Sequence, residues 1–82
     1  MATVVPATAP GGILPTGRIV RDWAQLAEGS WVEVVSETEP LVYARVDAVS
    51  PDGSIIWLVT AGTGLRTLHL DTDLITLYLH TP

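Results

Sequence analysis

The sequence predicts an all-β fold, a small barrel of five short strands between Trp31 and His80. Runs rich in β-branched and aromatic residues follow one another there, and a turn signal separates each run from the next. The clearest signal is Pro51-Asp52-Gly53, because proline presets φ early in a turn and glycine supplies the positive φ that closes it. The chain has 82 residues, enough for one small domain.

Residues 1–21 are predicted to be an extended arm, and residues 22–82 the barrel domain. Proline and glycine interrupt the arm every few positions, so no hydrophobic period survives in it. One interpretation is a tail without fixed structure. The other is a strap over a neighbouring subunit, in which Arg18 and Arg21 face acidic residues. Its apolar contacts would be Val4, Val5, Ile13, Leu14, Ile19 and Val20.

A short helix is predicted between Asp22 and Gly29. Asp22 and Gln25 have the spacing of a capping box, and Gly29 is suited to the left-handed residue that ends a helix. A helix of about two turns fits between them. We expect Trp23 to cover the core.

The five predicted strands are residues 31–36, 41–49, 55–60, 65–70 and 75–80. In the first strand, alternation places Val32 and Val34 inward and Glu33 in solvent. The third strand is apolar on both sides and should lie inside the sheet or at a contact. The second strand has one apolar face of small residues: Val42, Ala44, Val46 and Ala48.

The spacing Leu26-x-x-Gly29-x-x-Val32-x-Val34 resembles the start of the first strand in SH3-like and Sm-like barrels. The resemblance covers residues 22–80 and implies an SH3-like barrel. In composition and length the chain is also similar to small uncharacterised proteins of high-GC bacteria and their phages. Sm-like proteins hold RNA with Asp, Asn, Arg and Gly residues in two loops, and no matching set is present here, so the resemblance predicts a fold and leaves binding open.

The charge distribution argues against nucleic acid as a partner. The net charge is −5, and the chain has no lysine. Residues 1–21 carry two arginines, whereas the rest carries two arginines and nine acidic residues, a net charge of −7. Phosphate neutralisation dominates nucleic-acid binding, so this body is a poor platform for it. Residues 1–17 are uncharged and interrupted by proline, which argues against a signal peptide or a membrane span. We expect a cytoplasmic protein or a virion component.

Reactive groups are few, and we predict neither catalysis, a cofactor nor a metal site. The chain has no cysteine, which excludes disulfides and thiolate ligands. His69 and His80 would share a sheet face if their strands paired, but a zinc site would need a third ligand, and no spacing indicates one. No serine or threonine has an identifiable base partner.

We predict instead that one outward face binds protein. Aromatic residues and arginine are enriched at the centres of protein interfaces. The alternative is that these side chains fill a second hydrophobic layer. The face comprises Trp31, Tyr43, Arg45, Trp57, His69, Tyr78 and His80, and the arm adds Ile13, Leu14, Arg18 and Arg21.

Hydrophobic residues make up 48% of the chain, more than so small a core can bury, which favours association. The first hypothesis is a non-catalytic structural subunit of a homo-oligomer or a larger assembly, a viral particle being one candidate. The second is a small peptide- or ligand-binding module, acting as a regulator or inhibitor. The third is an Sm-like nucleic-acid binder.

Overall fold

The computed structural model describes residues 15–80, which form one six-stranded antiparallel sheet. The sheet order is β1-β6-β2-β3-β4-β5. A single 3₁₀ turn, Trp23–Gln25, is the helical element of the described residues. The strands are β1 Arg18–Val20, β2 Trp31–Ser36, β3 Val42–Val49, β4 Ile55–Thr60, β5 Arg66–Leu70 and β6 Ile75–His80.

The all-β prediction is confirmed, and β2 to β6 lie within one residue of the five predicted strands. The predicted five-stranded barrel is not confirmed. A sixth strand, β1, pairs with β6, and the described sheet stays open because β1 and β5 are its two edges. Residues 18–20 of the predicted arm therefore belong to the sheet.

The core lies on one side of the sheet, which we call the inner face. Val32 of β2 pairs with Ala44 of β3, and both are buried there. Trp23 and Leu26, from the 3₁₀ turn and its C-cap, pack against this face as predicted for Trp23. The buried cluster comprises Trp23, Leu26, Val32, Val34, Ala44, Val46, Ile56, Leu58 and Leu77.

The predicted turn between β3 and β4 is confirmed. The Gly53 N–H donates to the Ser50 carbonyl at 2.9 Å, and Gly53 has a φ of 77°. A Cβ at Gly53 would stand 2.7 Å from the Ala24 nitrogen. Glycine is therefore required both for the turn and for its packing against the 3₁₀ turn.

A β-bulge in β3 changes the predicted faces of that strand. The register with β4 shifts between Val46 and Ala48. Because a bulge inserts one extra residue, it exchanges the faces of the residues that follow it. Val49 consequently packs against the core, and the prediction that Ala48 shares a face with Val42, Ala44 and Val46 is wrong.

The predicted two-turn helix is also wrong, since the helical conformation ends after one 3₁₀ turn. The Gly29 N–H donates to the Val46 carbonyl of β3 at 2.8 Å, and the Ser30 N–H donates to Ala27 at 3.1 Å. These bonds replace the i to i−4 pattern that would have continued a helix.

Glu33 is fully buried, in contrast to the predicted solvent position. It lies on the face opposite the core, which we call the outer face, and residues 16–17 cover it. Alternation predicted the face correctly. The covering residues Thr16 and Gly17 precede Glu33 by 17 and 16 residues, and nothing local in the sequence indicates the contact.

Candidate functional site

The sheet register brings most of the predicted interface residues onto the outer face. Directly paired residues of an antiparallel sheet share a face. Trp31 pairs with Arg45 on one side and His80 on the other, and Glu33 pairs likewise with Tyr43 and Tyr78. Trp57 joins them, because its neighbour Val59 in β4 pairs with Arg45.

Aromatic rings are exposed near the middle of this face. Trp31 and Tyr43 each expose 45% of their surface. The Tyr43 and His80 rings meet edge to face, with centroids 6.0 Å apart. Trp31 extends the patch across β2, and Arg45 is half-buried beside it. The arrangement offers flat apolar area together with polar groups, a combination suited to contact with another macromolecule.

Tyr78 has a different role, since it is buried. It forms a small cluster with Val35, and Ile19 and Leu41 pack against the pair. At this position the structure agrees with the alternative prediction, in which these side chains fill a second hydrophobic layer.

A polar cluster borders the patch at the β3 bulge. The Arg66 guanidinium lies 5.7 Å from the centroid of the Trp57 ring, and its Nε donates to Asp47 Oδ2 at 2.8 Å. Both charged side chains are substantially exposed, so the ion pair itself stabilises little. The ion pair instead orients a side chain, because the bulge residue Asp47 holds Arg66 over the Trp57 ring.

His69 lies apart from the other predicted interface residues. It pairs with the core residue Ile56, which places it on the inner face, and its Nε2 is 2.8 Å from the Thr67 hydroxyl. β5 and β6 do not pair. His80 pairs with Trp31 on the outer face, so the two histidines lie on opposite faces. No group of three potential metal ligands occurs among residues 15–80.

The inner face carries a groove of about 370 Å³ that the sequence analysis did not predict. It lies where β5 does not close onto β6, so its existence depends on the open sheet. Thr67 and His69 supply polar groups along one side. Its apolar lining includes Val34, Val42, Ala44, Leu58, Leu65 and Ile75.

Exposed leucines are concentrated around β5. Leu68 and Leu70 lie in the strand and are 53% and 41% exposed, whereas Leu65 and Leu74 flank it and are 62% and 85% exposed. The sequence signal, a leucine at alternate positions of a strand, was present. Sequence alone did not show that this strand is an edge.

The structure describes two of the four predicted interface residues of the arm. Arg18 and Arg21 are exposed and line a shallow cleft beside β1, together with Gln25. Ile13 and Leu14 lie outside the described residues.

Comparison with known protein families, characterised proteins and solved structures finds no significant match to this chain. Among residues 15–80, no helix is both long and apolar enough to cross a membrane.

Proposed function

We propose that the protein is a non-catalytic subunit that binds other protein chains, including copies of itself, through the outer face of its sheet. The observation that carries the proposal is the exposure of Trp31 and Tyr43 on the face opposite the main core cluster. Large aromatic side chains beside an arginine are typical of the centres of protein interfaces.

The arm supports assembly in this proposal. Thr16 and Gly17 are fixed to Glu33 on the outer face, and Glu33 pairs with Tyr43 and Tyr78, so the described part of the chain begins beside these tyrosines. A strap that starts there is well placed to lie over a neighbouring subunit. A multisubunit particle, including a viral one, is the kind of assembly that uses such straps.

The fold part of the proposal is a relationship to SH3-like barrels. Strands β2 to β5 follow one another across the sheet, and β6 returns to pair with β2. This order supports the resemblance noted in the sequence, with β1 as an addition at the edge.

Light scattering on the full chain tests the proposal. We expect an oligomer, and the double variant Trp31→Ser, Tyr43→Ser should weaken assembly at least about 10-fold, a change of roughly 1.4 kcal/mol. Val42→Thr is the matched control, because Val42 is also exposed but lies on the inner face. A monomeric full chain that captures no protein partner through these residues would contradict the proposal.

A peptide- or ligand-binding module is the second candidate, and the inner-face groove favours it. An apolar groove with a few polar groups is the usual form of a small-ligand site. Nuclear magnetic resonance of the Thr67 and His69 signals during titration with short apolar peptides tests this function. Unchanged signals would exclude the groove as the site.

A further inference from the structure

The outer edge of β5 has backbone groups without a strand partner among residues 15–80, since β5 pairs there only with β4. The Leu65 carbonyl accepts from the Thr60 N–H, and the Asp71 N–H donates to the Ser54 carbonyl, both at 2.9 Å. In an antiparallel ladder, alternate residues direct their N–H and C=O groups to opposite sides. The odd-numbered residues of β5 therefore bond to β4, and Arg66, Leu68 and Leu70 point to the free edge.

One of these three edge residues is already satisfied. The Leu70 N–H donates to Asp73 Oδ2 at 2.9 Å, and the Leu70 carbonyl accepts from the Asp73 N–H at 2.9 Å. The available edge is thereby reduced to the N–H and C=O groups of Arg66 and Leu68.

We propose that this edge pairs with β5 of a second copy, antiparallel, about a two-fold axis at Thr67. In that register Arg66 of each chain faces Leu68 of the other, and the two pairs make four backbone hydrogen bonds. A register centred on Leu68 would need the occupied groups of Leu70. The inference goes beyond the proposed function, because it names a second copy as the partner and the β5 edge, separate from the outer face, as the contact.

Charge does not oppose a second copy in this orientation. The β5–β6 turn carries Asp71 and Asp73, whereas residues 61–64 at the other end of β5 are uncharged. Two-fold pairing places the acidic turn of each chain against the uncharged loop of the other. The charge of Arg66 is already paired with Asp47, so no unpaired charge on β5 opposes the contact.

Apolar contacts support the same register. Leu65, which is 62% exposed, would lie opposite His69 of the second copy on the inner face. Leu68 would lie beside Arg66 of the second copy on the outer face. Charged side chains and proline commonly protect an edge strand from such pairing. Residues 66–70 contain no proline, and their one arginine, Arg66, is paired with Asp47 of its own chain.

Cysteine crosslinking of the full chain tests the register. The chain has no cysteine, so Thr67→Cys introduces a single thiol. Paired residues at a non-hydrogen-bonded position have Cα atoms about 4.5 Å apart, within the range of a disulfide. We expect mild oxidation to link most of the Thr67→Cys chains as dimers.

Two controls distinguish this register from others. Leu65→Cys and His69→Cys should not crosslink to themselves, since each would lie about four residues, or roughly 13 Å, from its own copy. Leu68→Pro removes one edge N–H, retains pairing with β4 and should weaken dimerisation at least about 10-fold. Circular dichroism reports whether each variant keeps the fold.

Three outcomes would overturn the inference: self-crosslinking at residue 65 or 69 in place of 67, a dimer unaffected by Leu68→Pro, or a full chain that remains monomeric at about 1 mM. In the last case, slow hydrogen exchange at Arg66 and Leu68 would show that the chain's own residues 1–14 cover the edge. If Thr67→Cys does not crosslink and Leu68→Pro has no effect, but the double variant Trp31→Ser, Tyr43→Ser still loses assembly, the proposed function stands without this contact. Crosslinking at Thr67 with no effect of the double variant would reject the outer face as the binding surface.

Discussion

The two edges of the sheet are built differently. At β1 the edge strand has three residues and is held by Glu33, a fully buried carboxylate. At β5 the edge strand has five residues, exposed leucines and backbone groups that point away from the sheet. An exposed edge strand is a site of strand addition unless it is covered or protected by charge or proline, and the one arginine of β5 is already paired with Asp47. The sheet therefore fixes β1 through a buried contact, whereas β5 exposes backbone groups that no other strand of residues 15–80 pairs with.

Glu33 secures the β1 edge through backbone donors. The Thr16 N–H lies 3.0 Å from both carboxylate oxygens, the Thr16 hydroxyl donates to Oε2 at 3.1 Å, and the Gly17 N–H donates to Oε1. Successive N–H groups that converge in this way form an anion-binding concavity. Burial of a carboxylate is costly, and these charge-assisted bonds offset the cost.

The largest effect is expected from Glu33→Gln. The amide has one acceptor oxygen and turns an NH₂ group toward the Thr16 and Gly17 donors, so buried polar groups are left unpaired. We expect a loss of about 2–4 kcal/mol in the free energy of unfolding. Urea denaturation measures it, and hydrogen exchange should show β1 opening before the other strands.

Glu37→Gln is the control for Glu33→Gln. Glu37 is an exposed acidic residue in the β2–β3 turn, so the same change in charge should alter stability by no more than about 0.5 kcal/mol. Equal effects of the two variants would show that net charge, and not the buried contact, sets stability.

Gly17→Ala should have the next largest effect, because space is short at this position. A Cβ there would lie 2.4 Å from the Leu79 carbonyl oxygen and 2.8 Å from Glu33 Oε1. Backbone must shift to admit it, which we expect to cost about 1–3 kcal/mol. Thermal denaturation measures the total loss of stability, and hydrogen exchange at Arg18–Val20 shows whether the loss is located at β1.

Gly62→Ala separates crowding from backbone strain. Gly62 has a φ of 89°, and a Cβ added there would meet no atom within 4 Å, so its substitution strains only the β4–β5 loop. Protection of β1 should remain unchanged in this variant. If both alanines open β1 equally, the close contact at Gly17 is not what holds that edge.

Asp73→Ala sharpens the comparison at the other edge. Asp73 accepts a backbone N–H as Glu33 does, but it is exposed, so water replaces the lost bond. We expect a loss of about 1 kcal/mol or less in urea denaturation. A loss as large as that for Glu33→Gln would mean that burial does not explain the strength of the β1 anchor.

The sequence predicted the strands better than their environment. Periodicity located β2 to β6, because alternation and turn residues are local signals. The bulge at Asp47 and the anchor at Glu33 depend on contacts between distant segments, so parity alone placed Ala48 on the wrong face and Glu33 in solvent. For the candidate site, parity correctly grouped Trp31, Tyr43 and His80, whereas the position of His69 and the groove depended on which strands pair.

Asp52→Asn should have the smallest effect on stability, and this effect should depend on pH. The Ser54 hydroxyl, followed by the Ser54 N–H and the Ser50 hydroxyl, donates to this exposed carboxylate and lowers its pKa below the ordinary value of 3.8. A lowered pKa in the folded state means that ionised Asp52 stabilises the fold above pH 3.8, and that this contribution is lost as the pH falls through the folded-state pKa. Asp52→Asn should therefore reduce stability slightly at pH 7, and the difference from the unaltered chain should shrink in acid.

Carboxyl chemical shifts measure the pKa of Asp52 directly, and Ser54→Ala should raise this pKa, because that variant removes the strongest donor. A pKa of Asp52 unchanged by Ser54→Ala would show that the turn hydrogen bonds do not set it.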